Sequence, residues 1–113
     1  MGREQLKTFV KESHIPGMGG WGNGYVIIPK EHPMHNKHYD EINNHVDVHY
    51  GLTFSETVDE DIKQNWPELS DANLGDTVVG FDTLHYGDDE FKWPYEAVVA
   101  ETERLKTQLE ELA

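Results

Sequence analysis

Residues 94–112 constrain the fold most strongly. Tyr95, Val98, Thr102, Leu105, Leu109 and Leu112 recur at alternating spacings of three and four, the spacing of one face of an α-helix. Pro94 suits a first helical turn, and the Ala, Glu, Leu, Lys and Gln that follow favour helix. Glu101, Arg104, Lys106 and Glu110 fall mostly outside the stripe. Such a helix is stable only when its apolar face covers something. Upstream, Tyr25–Pro29 reads as a short, wholly apolar strand covered on both faces. Thr77–Leu84 reads as another, and His45–Thr53 as a third that bends at Gly51. The chain is therefore expected to be α+β: a small, mainly antiparallel sheet of three to four strands with the C-terminal helix packed on it. The stripe also keeps a heptad-like rhythm, so a homodimer through the C-terminal helix is expected as well.

The remaining segments are less regular. Residues 3–13 suggest a short helix with Leu6, Phe9 and Val10 on one side, ended before Pro16. In residues 17–24 five of eight positions are glycine, the mark of a flexible loop or a tight backbone approach. Residues 30–44 are polar, with a single helical turn expected around His38–Ile42. Residues 55–76 form an acidic excursion read as a long loop with one helical turn, and Gly87-Asp88-Asp89 signals a turn.

At 113 residues the chain is expected to form a single domain, 1–113, with one modest core. Without Cys it can form neither disulfides nor thiolate metal sites. No apolar run reaches the length of a signal peptide or a membrane span, so a cytoplasmic protein with no membrane partner is expected. The net charge is −13, from 22 acidic and nine basic residues. Nucleic-acid binding relies on Lys and Arg that neutralise phosphates, and the few here are scattered, which argues against direct binding. An acidic chain can instead mimic nucleic acid or bind a basic protein, although the carboxylates trace no obvious stripe.

Two polar clusters interrupt the strand-like segments. A strand through His45-Val46-Asp47-Val48-His49 would put His45, Asp47 and His49 on one face. The second cluster, Gly80-Phe81-Asp82-Thr83-Leu84-His85, ends the neighbouring segment. If the two segments pair, Asp47, His49, Asp82 and His85 converge. Imidazole with carboxylate suits general acid–base catalysis, and also a divalent metal such as Zn²⁺ or Mn²⁺. The cofactor itself is unknown. The scaffold alternative has Asp82 capping a turn and His85 bonded to a backbone carbonyl. Trp21, Tyr25 and Tyr50 are candidates to stack on a ligand. His32, His35 and His38 share a three-residue spacing, but Pro33 breaks the helix that would align them. The Gly-rich stretch matches neither a Walker loop nor a dinucleotide fingerprint, since no Lys-Ser/Thr pair and no helix follow it.

Gly24-Tyr25-Val26, Pro29, His32-Pro33, Tyr39-Asp40, Val48-His49, Gly51-Leu52-Thr53-Phe54-Ser55, Gly80-Phe81-Asp82, His85 and Asp88 together resemble a family of small proteins from bacteriophages and prophages. The family keeps the same order: a Gly-Tyr-Val strand, a His-Pro turn, a Val-His-Gly-Gly-Leu-Thr segment, then Gly-Phe-Asp with His three residues on. The resemblance covers about residues 21–105. Tyr50 stands for the first glycine of the Gly-Gly pair, and Thr83-Leu84 stand where Cys-Ala is usual. The resemblance implies a phage protein in the host-cell cytoplasm. By association it suggests countering host defence by sequestering or cleaving a nucleotide signal through the His/Asp pocket. The alternative is an acidic protein-binding inhibitor or nucleic-acid mimic without a small-molecule site. The residues leave open whether the ligand is turned over.

Overall fold

The apolar segments assemble into one four-stranded antiparallel sheet, seen in a computed structural model that describes residues 5–13 and 18–113. Strands β1 (Lys7–Glu12), β2 (Gly22–Ile28), β3 (Phe54–Thr57) and β4 (Thr77–Phe81) lie in the order β1-β2-β4-β3. The most apolar runs, β2 and β4, take the centre, with Val26 opposite Val79 and Tyr25 opposite Gly80. Helices α1 (Tyr39–Ile42), α2 (Glu60–Asn65) and α3 (Tyr95–Glu111) complete the chain, with a 3₁₀ turn at Pro67–Leu69. The α+β architecture is as the sequence implies.

Each face of the sheet is covered. On one, α3 buries Val98, Thr102, Leu105 and Leu109 against β1 and β2, over a core that includes Val26, Ile28, Val79 and Phe81. Complete burial of a side chain such as Leu105 contributes about 1.5–3 kcal/mol. Gly24 sets the spacing of this contact: a Cβ there would lie 2.0 Å from Thr102 Oγ1. Thr102 Oγ1 donates to the Val98 carbonyl at 2.7 Å, so the buried hydroxyl is satisfied. At the far end of the helix His32, buried, donates from Nε2 to the Leu109 carbonyl at 2.6 Å and accepts from the Met34 N–H at Nδ1. The stripe expected to carry a helix-mediated dimer is thus buried against the chain's own sheet.

The opposite face carries an aromatic cluster. Tyr25 stacks on Phe9 at 4.8 Å and meets Phe54 and Trp66 edge-on. The segment expected as a long loop supplies its lid. It begins as β3, and Asp59 caps α2 by accepting the Ile62 N–H at 2.9 Å. Trp66, Leu69 and Ala72 then return onto the sheet.

Two other expectations fail for identifiable reasons. The described part of the proposed 3–13 helix is strand β1, and its end before Pro16 lies outside the described residues. Leu6 and Val10 face the α3 side while Phe9 faces the aromatic cluster. With apolar partners on both faces, alternation disappears and a helix-like spacing remains. Residues 45–53 are not a strand either. Val46 and Val48 do turn inward, but the segment lies along α3. Its backbone groups bond to helix side chains: Asp47 N–H donates to Gln108 Oε1, Gln108 Nε2 donates to the Asp47 carbonyl, and His49 N–H donates to Glu101 Oε2, each at 2.7 Å.

Candidate histidine–carboxylate site

Antiparallel pairing decides where the polar clusters meet. Because β3 begins where β4 ends, with Phe54 opposite Gly80, the approach to β3 and the exit from β4 share one end of the sheet. His49 and Tyr50 arrive on the first; Asp82, His85 and Asp88 leave on the second. Trp93, on the way into α3, closes the group. The Gly-rich segment docks beside it, with Gly20 N–H on the Thr83 carbonyl at 2.7 Å and Trp21 N–H on the Trp93 carbonyl at 2.8 Å. A Cβ on Gly20 would sit 2.5 Å from Trp93 Cβ. The glycines therefore serve a close backbone approach.

His49 and His85 lie side by side, their ring centroids 5.8 Å apart. His49 Nε2 donates to Asp88, 2.9 and 3.0 Å from the two carboxylate oxygens. A carboxylate only accepts, so Nε2 carries the proton; Nδ1 makes no hydrogen bond among the described residues. Trp93 packs on the same ring at 4.1 Å. Asp88 is nearly buried and also accepts the His85 N–H at 3.0 Å. It therefore ties the ring of one histidine to the backbone of the other. His85 Nε2 lies 3.1 Å from Asp82 Oδ1 yet is out of line for a hydrogen bond, which leaves a buried nitrogen unsatisfied. Asp82 itself accepts from Thr53 Oγ1 at 2.8 Å and from the Leu84 N–H at 3.0 Å.

Tyr50 completes the arrangement. Its ring stacks on His85 at 4.3 Å, nearly parallel, and meets His49 edge-on at 4.8 Å. It occupies the third position of a turn closed by Gly51 N–H on the Val48 carbonyl at 2.7 Å, with φ at 55°. That position favours glycine, and a non-glycine residue there costs about 1–3 kcal/mol. Yet 65% of Tyr50 is exposed. The chain holds an exposed aromatic ring in a strained conformation against a histidine.

Electrostatic support comes from α3. Burial alone would raise the Glu101 carboxyl, but hydrogen bonds from Arg104 and from the His49 N–H outweigh it and hold it below the usual range. Glu101 thus anchors the backbone of His49 as an ion.

Of the expected site residues, His49, Asp82, His85 and Tyr50 come together. Asp47 does not: its side chain is exposed, 3.6 Å from Arg104 on the outer side of α3. The turn after Val48 swings His49 out of line with it. With Asp47 elsewhere, no three His, Asp or Glu side chains among the described residues are grouped to hold a metal ion. Tyr25 is 7% exposed in the aromatic cluster, where burial pushes its phenol above the usual value against a hydrogen bond from Asn23. It is a core residue. Trp21 is half-buried and packs edge-on against Tyr95 at 4.9 Å. His35 bonds to the Gly75 carbonyl and His38 caps α1, each apart from His32. Asp88, expected in a turn and among the residues of the resemblance but not as a site residue, joins the site; its three-residue spacing from His85 is the available signal. Comparison with family models, curated proteins and solved structures finds no match for the chain.

Proposed function

We propose that the His49–His85 site binds a phosphate-bearing small molecule, with a nucleotide signal as the class favoured by the phage resemblance. The observation that carries this reading is the convergence of two imidazoles from distant segments, each beside its own carboxylate, under a strained and exposed tyrosine. Scaffold histidines in this chain look different: His32 uses both ring nitrogens on backbone partners. His49 Nδ1 instead makes no hydrogen bond among the described residues, and His85 Nε2 lies buried beside Asp82 without one. Tyr50 offers a surface for a base.

The same pair can serve hydrolysis of a phosphate ester. His49 Nδ1 takes a proton from water as its oxygen bonds to phosphorus, Asp88 holds the ring in orientation, and the His85 ring donates a proton to the leaving oxygen as the P–O bond breaks. Titration calorimetry with a panel of nucleoside monophosphates and cyclic dinucleotides tests the proposal. Binding is expected to weaken at least about tenfold in His49→Gln and in His85→Gln, and to persist in Tyr25→Phe. Mass spectrometry of the recovered ligand separates turnover from storage. Absence of heat or thermal shift across the panel, with a folded protein, would overturn it.

A further inference from the structure

We propose that the loop from His85 to Trp93 is a docking element that presents Tyr86 and Phe91 to a protein partner whose apolar cleft is rimmed by Lys and Arg. Tyr86 is 100% and Phe91 95% exposed. Single exposed apolar residues are ordinary, but these two large rings project from one short loop whose backbone is fixed. His85 N–H bonds to Asp88 Oδ2, and Asp88 N–H returns to the His85 carbonyl at 2.9 Å. Lys92 N–H bonds to Asp89 Oδ1 at 2.8 Å, and Trp93 N–H to the Asp89 carbonyl at 2.8 Å. Trp93 in turn holds Trp21. A loop tied at its base loses little entropy on binding, which suits rings that supply contact area.

Charge decides the occupant. Asp89 and Glu90 within the loop and Glu96 just after it are exposed, while the Lys92 ammonium turns back to the Gly87 carbonyl at 3.3 Å. With a net charge of −13, long-range charge favours a basic protein surface over a second copy of this acidic chain or an anionic membrane. The loop starts at the proposed ligand site, but no ring contact joins Tyr86 or Phe91 to His49 or His85 among the described residues, so either proposal can fail alone.

Panning a displayed random peptide library against the full chain tests the proposal. Enriched peptides should combine aromatic or aliphatic residues with Lys or Arg. Their binding should fall about tenfold or more in the Tyr86→Ser, Phe91→Ser double variant and weaken as salt rises. Leu74→Ser, another exposed apolar site, should leave it unchanged. Both variants change exposed side chains, and matching thermal melts check that they fold. Enriched peptides lacking basic residues, no peptide that depends on the two rings, or a dimer in light scattering that the double variant dissolves would each overturn it.

Discussion

Two clusters of rings in this molecule differ in burial and in backbone geometry. Phe9, Tyr25, Phe54 and Trp66 interlock on one face of the sheet, on regular strands for the most part, with Tyr25 almost wholly buried. His49, Tyr50, His85 and Trp93 gather at the sheet's end, on turns, with one residue at positive φ and one imidazole nitrogen unsatisfied. The first cluster is held by buried ring contacts without a positive-φ residue, although Asn23, which donates to the Tyr25 hydroxyl, leaves its own buried Oδ1 unsatisfied. The second adds backbone strain at the exposed Tyr50 to a buried, unsatisfied His85 Nε2, a combination that selection for stability alone would remove. Function is best sought among contacts that cost the fold something.

The sharpest way to break this contrast is paired truncation. Tyr25→Ala should cost about 3–5 kcal/mol in denaturant unfolding, as large aromatic deletions in cores do. Tyr50→Gly should change stability by less than about 1 kcal/mol, because relief of the left-handed strain offsets the lost stack, and should weaken ligand binding. Equal costs at the two positions would erase the distinction. Next in size, Gly20→Ala should cost about 1–3 kcal/mol, since its Cβ would meet Trp93 and Thr83 within 2.6 Å. Because Trp93 packs on His49, the His49 ring resonances in NMR should shift with it. Asp88→Ala should cost about 1–3 kcal/mol by leaving the His49 ring and the His85 N–H without an acceptor. A double-mutant cycle with His49→Gln should show the two losses to be less than additive.

The smallest effect concerns pH. Glu101 has its folded-state pKa lowered, so its contribution is present above the ordinary carboxylate range and is lost as pH falls through the lowered value. Thermal melts from neutral to acidic pH should show that loss, and Arg104→Met should shrink it.

How much of this was legible follows from burial. The α3 stripe was readable because one face is apolar and the other charged. Strands β2 and β4 were readable as continuous apolar runs. Strand β1 was not, since Phe9 and Val10 each find an apolar partner on opposite faces. Residues 45–53 misled for the converse reason: Val46 and Val48 alternate as in a strand, but Gln108 and Glu101 of α3 take the place of a neighbouring strand. His49 and His85 were identifiable as a pair, whereas Asp88 and Trp93 were not, because only the packing of a turn against a helix entry brings them there. Tyr25 shows the limit of residue type alone: an aromatic beside glycines suggests a stacking platform, and only the ring contacts reveal a core.

The central claim is that His49 and His85 act on one ligand. Following both imidazoles by ¹⁵N-edited NMR during titration with a nucleoside monophosphate or a cyclic dinucleotide tests it most directly. The ring resonances of His49 and His85 should move together, with the same midpoint, while those of His32 stay fixed. Saturable binding that moves only one of the two rings, or neither, would contradict it.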